Sequence, residues 1–360
     1  MSERSSKAEE LGEDLGIVTV KSFATKNFRL HGGEVLPELE LAYETYGTLA
    51  PHRHNAILVT HGYTSSQHAA GLDDAGEAGW WDGLIGPGKA IDTNRYFVVS
   101  SNMLGSSYGS SAPASINPKT GKPYGPDFPA FNLVDIVTAQ RALLESLGVE
   151  HLVAVAGLSY GGYQAFQWGV TFPTDMDGIV AVVTAPKAND GEQMVADMRA
   201  RFEAAPAFNG GRYYGTSAMQ DYMTRLRIAT LKTYGIEAEL SSRFPDSPAR
   251  EREIRRMAEN WAKRFDANSM IALAQARADY DAEKDFAKIR AKVLYVLSRT
   301  DKLFPPAIAP TVMAKLRANN VDATYFEIDS DKGHLASGHD WPKWAPALKA
   351  FLQRLDAHKH

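Results

Sequence analysis

The sequence has no cysteine among its 360 residues. This absence excludes disulfide bonds, thiolate metal sites and a cysteine nucleophile, and it fits a reducing compartment. The chain also lacks an apolar run long enough to span a bilayer, and its charged N-terminus, residues 1–16, lacks the apolar core of a signal peptide. The sequence therefore predicts a cytoplasmic protein with no membrane partner.

A strong charge of either sign is missing as well, because the formal net charge is −4. Nothing in the overall charge indicates a nucleic-acid or anionic-membrane partner. The hydrophobic fraction of 44% and the charged fraction of 23% are those of an ordinary globular protein. The length suits one large catalytic domain with an insertion, or two domains.

Short apolar segments alternate with helical patterns through the first half of the chain. Most of these segments are continuous, as expected for strands buried on both faces of a parallel sheet. The strands are predicted over 39–46, 56–60, 96–100, 151–156 and 178–184, and the helices over 132–147 and 161–172. This alternation predicts an α/β fold with a mostly parallel sheet flanked by helices.

The alternation stops near residue 186 and resumes about 100 residues later. The intervening stretch shows helical spacing and no convincing strand, whereas strands at 293–298 and 324–328 and a terminal helix at 341–355 follow it. We therefore predict a core domain of residues 1–185 and 285–360, interrupted by a helical lid of residues 186–284.

The pentapeptide Gly157-Leu158-Ser159-Tyr160-Gly161 has the pattern G-x-S-x-G. Small residues on both sides of a serine permit a sharp strand-to-helix turn that projects the hydroxyl above the sheet, as in the α/β-hydrolase fold. The pattern alone is weak, and a glycine-rich turn with a capping serine is the alternative. A buried strand before it and a helix after it favour Ser159 as a nucleophile.

A serine nucleophile needs a base, and the base needs an orienting acid. In this fold the acid and then the histidine follow the serine along the chain. Asp301 and His334 each follow a predicted strand, where an open α/β sheet places its site. A turn aspartate and a surface-loop histidine are the alternatives, and His339 in the same loop is a rival base.

The tetrahedral intermediate of acyl transfer carries an oxyanion, which N–H donors stabilise when they are already in position before the reaction. We predict the backbone N–H groups of Tyr160, which follows the nucleophile, and of Tyr63, in the loop after the strand at 56–60. Nothing else in that loop makes a usual metal-ligand spacing with His61 and His68. We expect neither a metal nor a cofactor.

Several longer stretches resemble the homoserine O-acetyltransferase family. They are LAYETYGTL, Trp80-Trp81-Asp82 with IGPGKAIDTNRYFV, INPKTGKPYGPDFP and SRTDKLFPP, and the resemblance extends from Leu39 to the C-terminus. It implies an α/β-hydrolase fold with a helical lid, and homodimers held through the lid helices. It also implies a Ser–Asp–His triad and a ping-pong acyl-enzyme route from acetyl-CoA to homoserine.

Carried over residue by residue, the triad falls on Ser159, Asp301 and His334. In the lid, Arg227 and Tyr234 match positions that the family uses to hold the homoserine carboxylate. A solvated cation on a helix face is the alternative for Arg227.

The sequence departs from the family at three places. Leu335 stands where the family has an aspartate that holds the substrate's amino group. Tyr160 and Tyr163 replace two methionines, and residues 62–66 read Gly-Tyr-Thr-Ser-Ser where the family usually has Ala-Leu-Thr-Gly-Asp. Without the aspartate, a bound ammonium would lose a charge-assisted partner worth roughly 1.5–3 kcal/mol.

These departures predict an apolar, aromatic pocket and a serine carboxylesterase that hydrolyses short-chain esters, acetyl esters above all. Water would then replace homoserine as the acyl acceptor. The first alternative is a homoserine O-acetyltransferase that uses acetyl-CoA. An alternative of another class is a non-catalytic binding protein of the same fold, against which the complete triad pattern argues.

Overall fold

The computed structural model describes residues 15–188 and 191–356. Its centre is an eight-stranded sheet with the order β1-β2-β4-β3-β5-β6-β7-β8. The strands are β1 (Lys21–Arg29), β2 (Val35–Tyr46), β3 (Ala56–Thr60), β4 (Phe97–Ser101), β5 (Leu152–Leu158), β6 (Met176–Val182), β7 (Lys292–Ser298) and β8 (Ala323–Ile328). The pairs β1–β2 and β2–β4 are antiparallel, and the other five pairs are parallel. The predicted α/β-hydrolase architecture is thus confirmed.

The central strands β3, β5, β6 and β7 are almost wholly buried, because helices cover both faces of the sheet. The helices of the core are α1 (Leu133–Ser146), α2 (Tyr160–Thr171), α8 (Ala309–Ala318), α9 (Ala336–His339) and α10 (Ala345–Asp356). A capping box between Asn132 and Asp135 begins α1, and Gly148, with a φ of 76°, lies just beyond its end.

The observed strands differ from the sequence prediction in one missed strand and in several bounds. Strand β1 was not predicted, and β2 begins at Val35 instead of Leu39. Strand β1 pairs on one side only and exposes most of its side chains, so its sequence contains no continuous apolar run. Two short ribbons, 85–86 with 91–92 and 116–117 with 122–123, lie outside the main sheet.

The described part of residues 186–284 forms helices and no strand of the main sheet. The helices are α3 (Gly191–Glu203), α4 (Gln220–Tyr234), α5 (Ile236–Leu240), α6 (Ser247–Ala262) and α7 (Ala267–Ala276). Strands β6 and β7, which flank this segment, are direct neighbours in the sheet, and a bridge from Lys187 to Asp281 brings the two ends of the segment together. We call residues 186–284 the insertion.

A small apolar cluster joins helices α4, α5 and α6 of the insertion. Its buried members are Leu231, Ile236, Leu240, Ile254 and Ala258. Within residues 15–188 and 191–356, no helix is both long and apolar enough to cross a membrane. The same residues contain no group of three or more metal-binding side chains placed to hold an ion.

Candidate active site

Ser159 lies on a strained turn between β5 and α2. Its φ of 55° and ψ of −120° lie in a region that residues with a side chain rarely adopt. The turn is held from both sides, because Ser159 N–H donates to the Val182 carbonyl (2.9 Å) and Thr184 Oγ1 donates to the Ser159 carbonyl (2.7 Å). Backbone strain maintained by such contacts is typical of a functional position.

The two glycines of the pentapeptide are required by close packing around this turn. A Cβ on Gly157 would lie 2.2 Å from Thr60 Oγ1, and one on Gly161 would lie 2.1 Å from the Thr60 carbonyl oxygen. Both distances are far below van der Waals contact. The end of β3 therefore approaches the serine turn so closely that only glycine fits.

Asp301 and His334 form a buried pair. His334 Nδ1 lies 2.8 Å from Asp301 Oδ2, and the two residues are 5% and 3% exposed. The other oxygen, Asp301 Oδ1, accepts the backbone N–H groups of Leu303 (2.8 Å) and Phe304 (3.3 Å). A carboxylate so engaged accepts the Nδ1 proton of the histidine, which leaves the lone pair of the imidazole on Nε2.

His339, the rival base, lies elsewhere. Its side chain is 45% exposed, and its Nδ1 lies 3.0 Å from Glu239 Oε1 in the insertion. Of the two histidines in this loop, His334 is the one that contacts Asp301.

The loop after β3 lies beside the serine, since a Cβ on Gly62 would be 3.6 Å from Ser159 Cβ. His61 is fully buried, and its Nδ1 lies 2.7 Å from the Gly62 carbonyl oxygen. The C=O of Gly62 and the N–H of Tyr63 belong to one planar trans peptide and point in opposite directions. His61 therefore fixes the orientation of the Tyr63 N–H. The sequence pattern did not predict this contact, since His61 was weighed there only as a metal ligand, and a metal was not expected.

Tyr63 and Tyr160 connect the core to the insertion through their side chains. Their rings stack with centroids 5.7 Å apart. The Tyr160 hydroxyl donates to the Leu273 carbonyl (3.0 Å), and the Tyr63 hydroxyl donates to the Met270 carbonyl. Burial raises the pKa of both phenols above the ordinary value, so they stay neutral. Both hydroxyls are thus occupied by backbone acceptors on α7.

Arg227 lies against the same loop after β3. Its Nη1 donates to Thr64 Oγ1 (2.9 Å), and the guanidinium carbon lies 5.0 Å from the centre of the Trp261 ring. Burial lowers the pKa of Arg227, and its Nε is buried without a hydrogen-bond partner. Among the described residues, no carboxylate lies within ion-pair distance of it. Arg227 is partly buried, and the Thr64 hydroxyl and the Trp261 ring, rather than a carboxylate, contact its guanidinium.

Tyr234 lies in the insertion, and Leu335 lies in the loop that contains His334, which we call the histidine loop. The two residues lie on either side of the contact between these segments. The Tyr234 ring lies 5.1 Å from the His334 ring, between centroids. Leu335 is partly buried and packs against the apolar cluster of α4, α5 and α6. The side chain that directly follows the histidine therefore contributes to the packing of the insertion.

Comparison with known proteins agrees with this geometry. Residues 55–340 match the model of the alpha/beta hydrolase fold family. The chain is 37% identical over 358 residues to a homoserine O-acetyltransferase of Symbiobacterium thermophilum, covering 92% of this chain and 93% of the relative. It is also 37% identical over 344 residues to one of Methanosphaerula palustris, covering 89% and 70% of the two chains.

Solved structures of two kinds share the fold. Esterase E22 has a TM-score of 0.84 at 30% identity, with 93% of this chain and 100% of that chain covered. A homoserine O-acetyltransferase from Bacillus anthracis has a TM-score of 0.83 at 30% identity, with 94% and 98% covered. The two sequence relatives are homoserine O-acetyltransferases and thus favour the acetyltransferase alternative over the carboxylesterase that the sequence departures predicted. The chain belongs to the homoserine O-acetyltransferase-like family of α/β-hydrolase-fold enzymes, whose chemistry is acyl transfer.

Proposed function

We propose that the protein transfers an acetyl group from acetyl-CoA to the hydroxyl of homoserine through an acyl-enzyme on Ser159. The observation that carries this proposal is the partly buried guanidinium of Arg227, which lies against the loop after β3 and has no carboxylate partner among the described residues. A cation partly withdrawn from water favours a counter-charge, and a carboxylate ligand supplies it through charge-assisted hydrogen bonds. Homoserine carries such a carboxylate.

In the first half-reaction, His334 Nε2 takes the proton of Ser159 Oγ as the oxygen attacks the thioester carbonyl. Asp301 holds the imidazole through Nδ1 and stabilises the imidazolium that forms. The backbone N–H groups of Tyr63 and Tyr160 receive the oxyanion. Cleavage of the carbon–sulfur bond then releases CoA, which leaves with the proton from His334.

In the second half-reaction, His334 Nε2 takes the proton of the homoserine hydroxyl, and that oxygen attacks the acetyl-enzyme. The tetrahedral intermediate collapses, the bond to Ser159 Oγ breaks, and the imidazolium returns the proton to the serine. Atoms and charge balance without a metal or a cofactor.

Hydrolysis of short-chain esters is the second candidate, and Leu335 favours it. A leucine offers no counter-charge to the ammonium of homoserine, and this one packs into the apolar cluster of the insertion. Water would then replace homoserine in the second half-reaction.

One pair of assays separates the two candidates. Free CoA is measured with acetyl-CoA in the presence and absence of homoserine, and 4-nitrophenolate is measured with 4-nitrophenyl acetate. Release of CoA that depends on homoserine supports the transferase. Turnover of the ester without any response to homoserine supports the hydrolase, and inactivity in both assays contradicts both proposals.

The role of Arg227 has a matched control on the same helix. Arg227→Met should raise the KM for homoserine by about tenfold or more, since it removes one ion pair, and it should leave acetylation of the enzyme largely intact. Arg225→Met should change neither, because Arg225 is exposed. Equal effects of the two substitutions would contradict the assignment.

A further inference from the structure

A small apolar cavity lies between helices α3, α4 and α7 of the insertion. Its volume is about 130 Å³, and its apolar lining consists of Met194, Met198, Phe202, Tyr222, Leu226 and Met270. Two charged side chains, Asp197 and Arg201, also line it and are exposed, so one end reaches solvent. Methionine side chains are flexible and adapt to ligands of varied shape.

Tyr63 contacts both the wall of this cavity and Tyr160, the residue after the nucleophile. Its hydroxyl donates to the carbonyl of Met270 and lies 3.5 Å from Met198 Sδ, and both residues line the cavity. On its other side the Tyr63 ring stacks on Tyr160, the residue directly after Ser159. The Tyr63 side chain therefore extends from the serine turn to the cavity wall.

We propose that this cavity is an acyl-chain subsite that Tyr63 closes off from the nucleophile, and that Tyr63 thereby restricts the acyl group on Ser159 to acetyl. This inference rests on the proposed acyl-enzyme. The ligand class is the straight-chain acyl group of about four to six carbons, because an apolar cavity of about 150 Å³ holds a six-carbon ring.

The ring of Tyr63 keeps the cavity closed, and both its stack on Tyr160 and its hydroxyl bond hold it in place. To admit a longer chain, the ring would have to leave its stack on Tyr160 and give up a buried hydrogen bond to the Met270 carbonyl. Residue 63 thus acts on specificity through its side chain, whereas the proposed oxyanion contact uses only its backbone N–H. A substitution of Tyr63 therefore changes the side chain that blocks the cavity and retains the backbone N–H that is proposed to bind the oxyanion.

The test compares acylation by 4-nitrophenyl acetate and 4-nitrophenyl hexanoate, followed by the burst of 4-nitrophenolate and by the intact mass of the acyl-enzyme. Each buried methylene is worth roughly fourfold in rate, so burial of two of the four additional methylenes exceeds tenfold. The ratio of hexanoyl to acetyl acylation should therefore rise by about tenfold or more in Tyr63→Ala. Tyr63→Leu, which introduces the residue of the family pattern, should give a smaller rise and guards against a folding defect.

Two further variants test whether the additional carbons of the acyl chain occupy the cavity. Tyr63→Phe retains the ring and should shift the ratio far less than Tyr63→Ala. Adding Leu226→Trp to Tyr63→Ala fills the cavity and should return the ratio to that of the wild type. A ratio unchanged in folded Tyr63→Ala and Tyr63→Leu, or one that Leu226→Trp does not reverse, overturns the cavity assignment alone. Failure of the wild type to form any acyl-enzyme on Ser159 overturns the proposed function and this inference with it.

Discussion

Leu335→Asp is expected to increase kcat/KM for homoserine by about 10- to 100-fold. Homoserine in the site carries an ammonium group, and a hydrogen bond from such a charged group contributes about 1.5–3 kcal/mol when its partner is a carboxylate. Leu335 directly follows the catalytic candidate His334 and cannot supply that partner. The gain should therefore appear with homoserine and disappear with an acceptor that has no amine.

The same substitution has a cost that follows from the packing of Leu335. The side chain is partly buried against the apolar cluster of the insertion. Full burial of a leucine is worth about 1.5–3 kcal/mol, so the loss from this partly buried one is about 1 kcal/mol. A lower unfolding temperature should accompany the gain in homoserine use, and bound homoserine should restore part of it.

The assay measures CoA release with homoserine and with 4-hydroxybutyrate, which retains the carboxylate and the hydroxyl but lacks the amine. Leu335→Asn is the matched control, since it disrupts the same packing without adding charge. The wild type should discriminate little between the two acceptors, whereas Leu335→Asp should favour homoserine. If the Asp and Asn variants show the same preference, or if the wild type already prefers homoserine a hundredfold, the reasoning about this position is wrong.

Three other outcomes test the site and its surroundings. Ser159→Ala should lower turnover by about three or more orders of magnitude in a folded protein, because the members of a catalytic triad, as proposed for Ser159, Asp301 and His334, act as a unit; near-normal turnover would refute the scheme. His334→Ala should be comparably damaging and His339→Ala much less so, since only His334 contacts Asp301; the reverse order in steady-state rates would reassign the base. Burial alone lowers the pKa of His68, but its hydrogen bond to Glu44 raises that pKa above the ordinary value. The protonated pair therefore stabilises the fold fully below about pH 6.5, the ordinary pKa of histidine, and this contribution is lost as the pH rises through the folded-state pKa. The difference in unfolding temperature between the wild type and His68→Gln should accordingly shrink from about pH 6 to pH 9, and a constant difference would contradict the assignment.

The central sheet was largely predictable, because its inner strands β3 to β7 are continuous, mostly apolar segments, as expected for strands buried on both faces. The contact between Asp301 and His334 followed from it, since each residue comes after a parallel strand and the carboxyl ends of such strands meet at one edge. Strand β1 was not predictable, because an exposed edge strand needs no apolar pattern.

The contacts between the core and the insertion could not be inferred from the sequence. The Tyr63 hydroxyl bonds to a carbonyl 207 residues away, and Arg227 bonds to a threonine 163 residues away. Such contacts depend on how the insertion packs against the core, and local sequence patterns contain no information on that packing. The sequence therefore assigned Tyr63 and Arg227 to the site without identifying what their side chains contact.

The insertion contacts the histidine loop at several points, and this links acceptor choice to the packing of the insertion. A Cβ on Gly235, at the end of α4, would lie 2.8 Å from the Lys332 carbonyl oxygen, so the backbones of helix and loop touch there. Leu335 packs into the cluster of α4, α5 and α6, and His339 pairs with Glu239 on α5. An aspartate at position 335 would exchange one of these contacts for a charge directed at the substrate. Efficient use of an ammonium-bearing acceptor should therefore require compensating packing within the insertion as well as the new carboxylate.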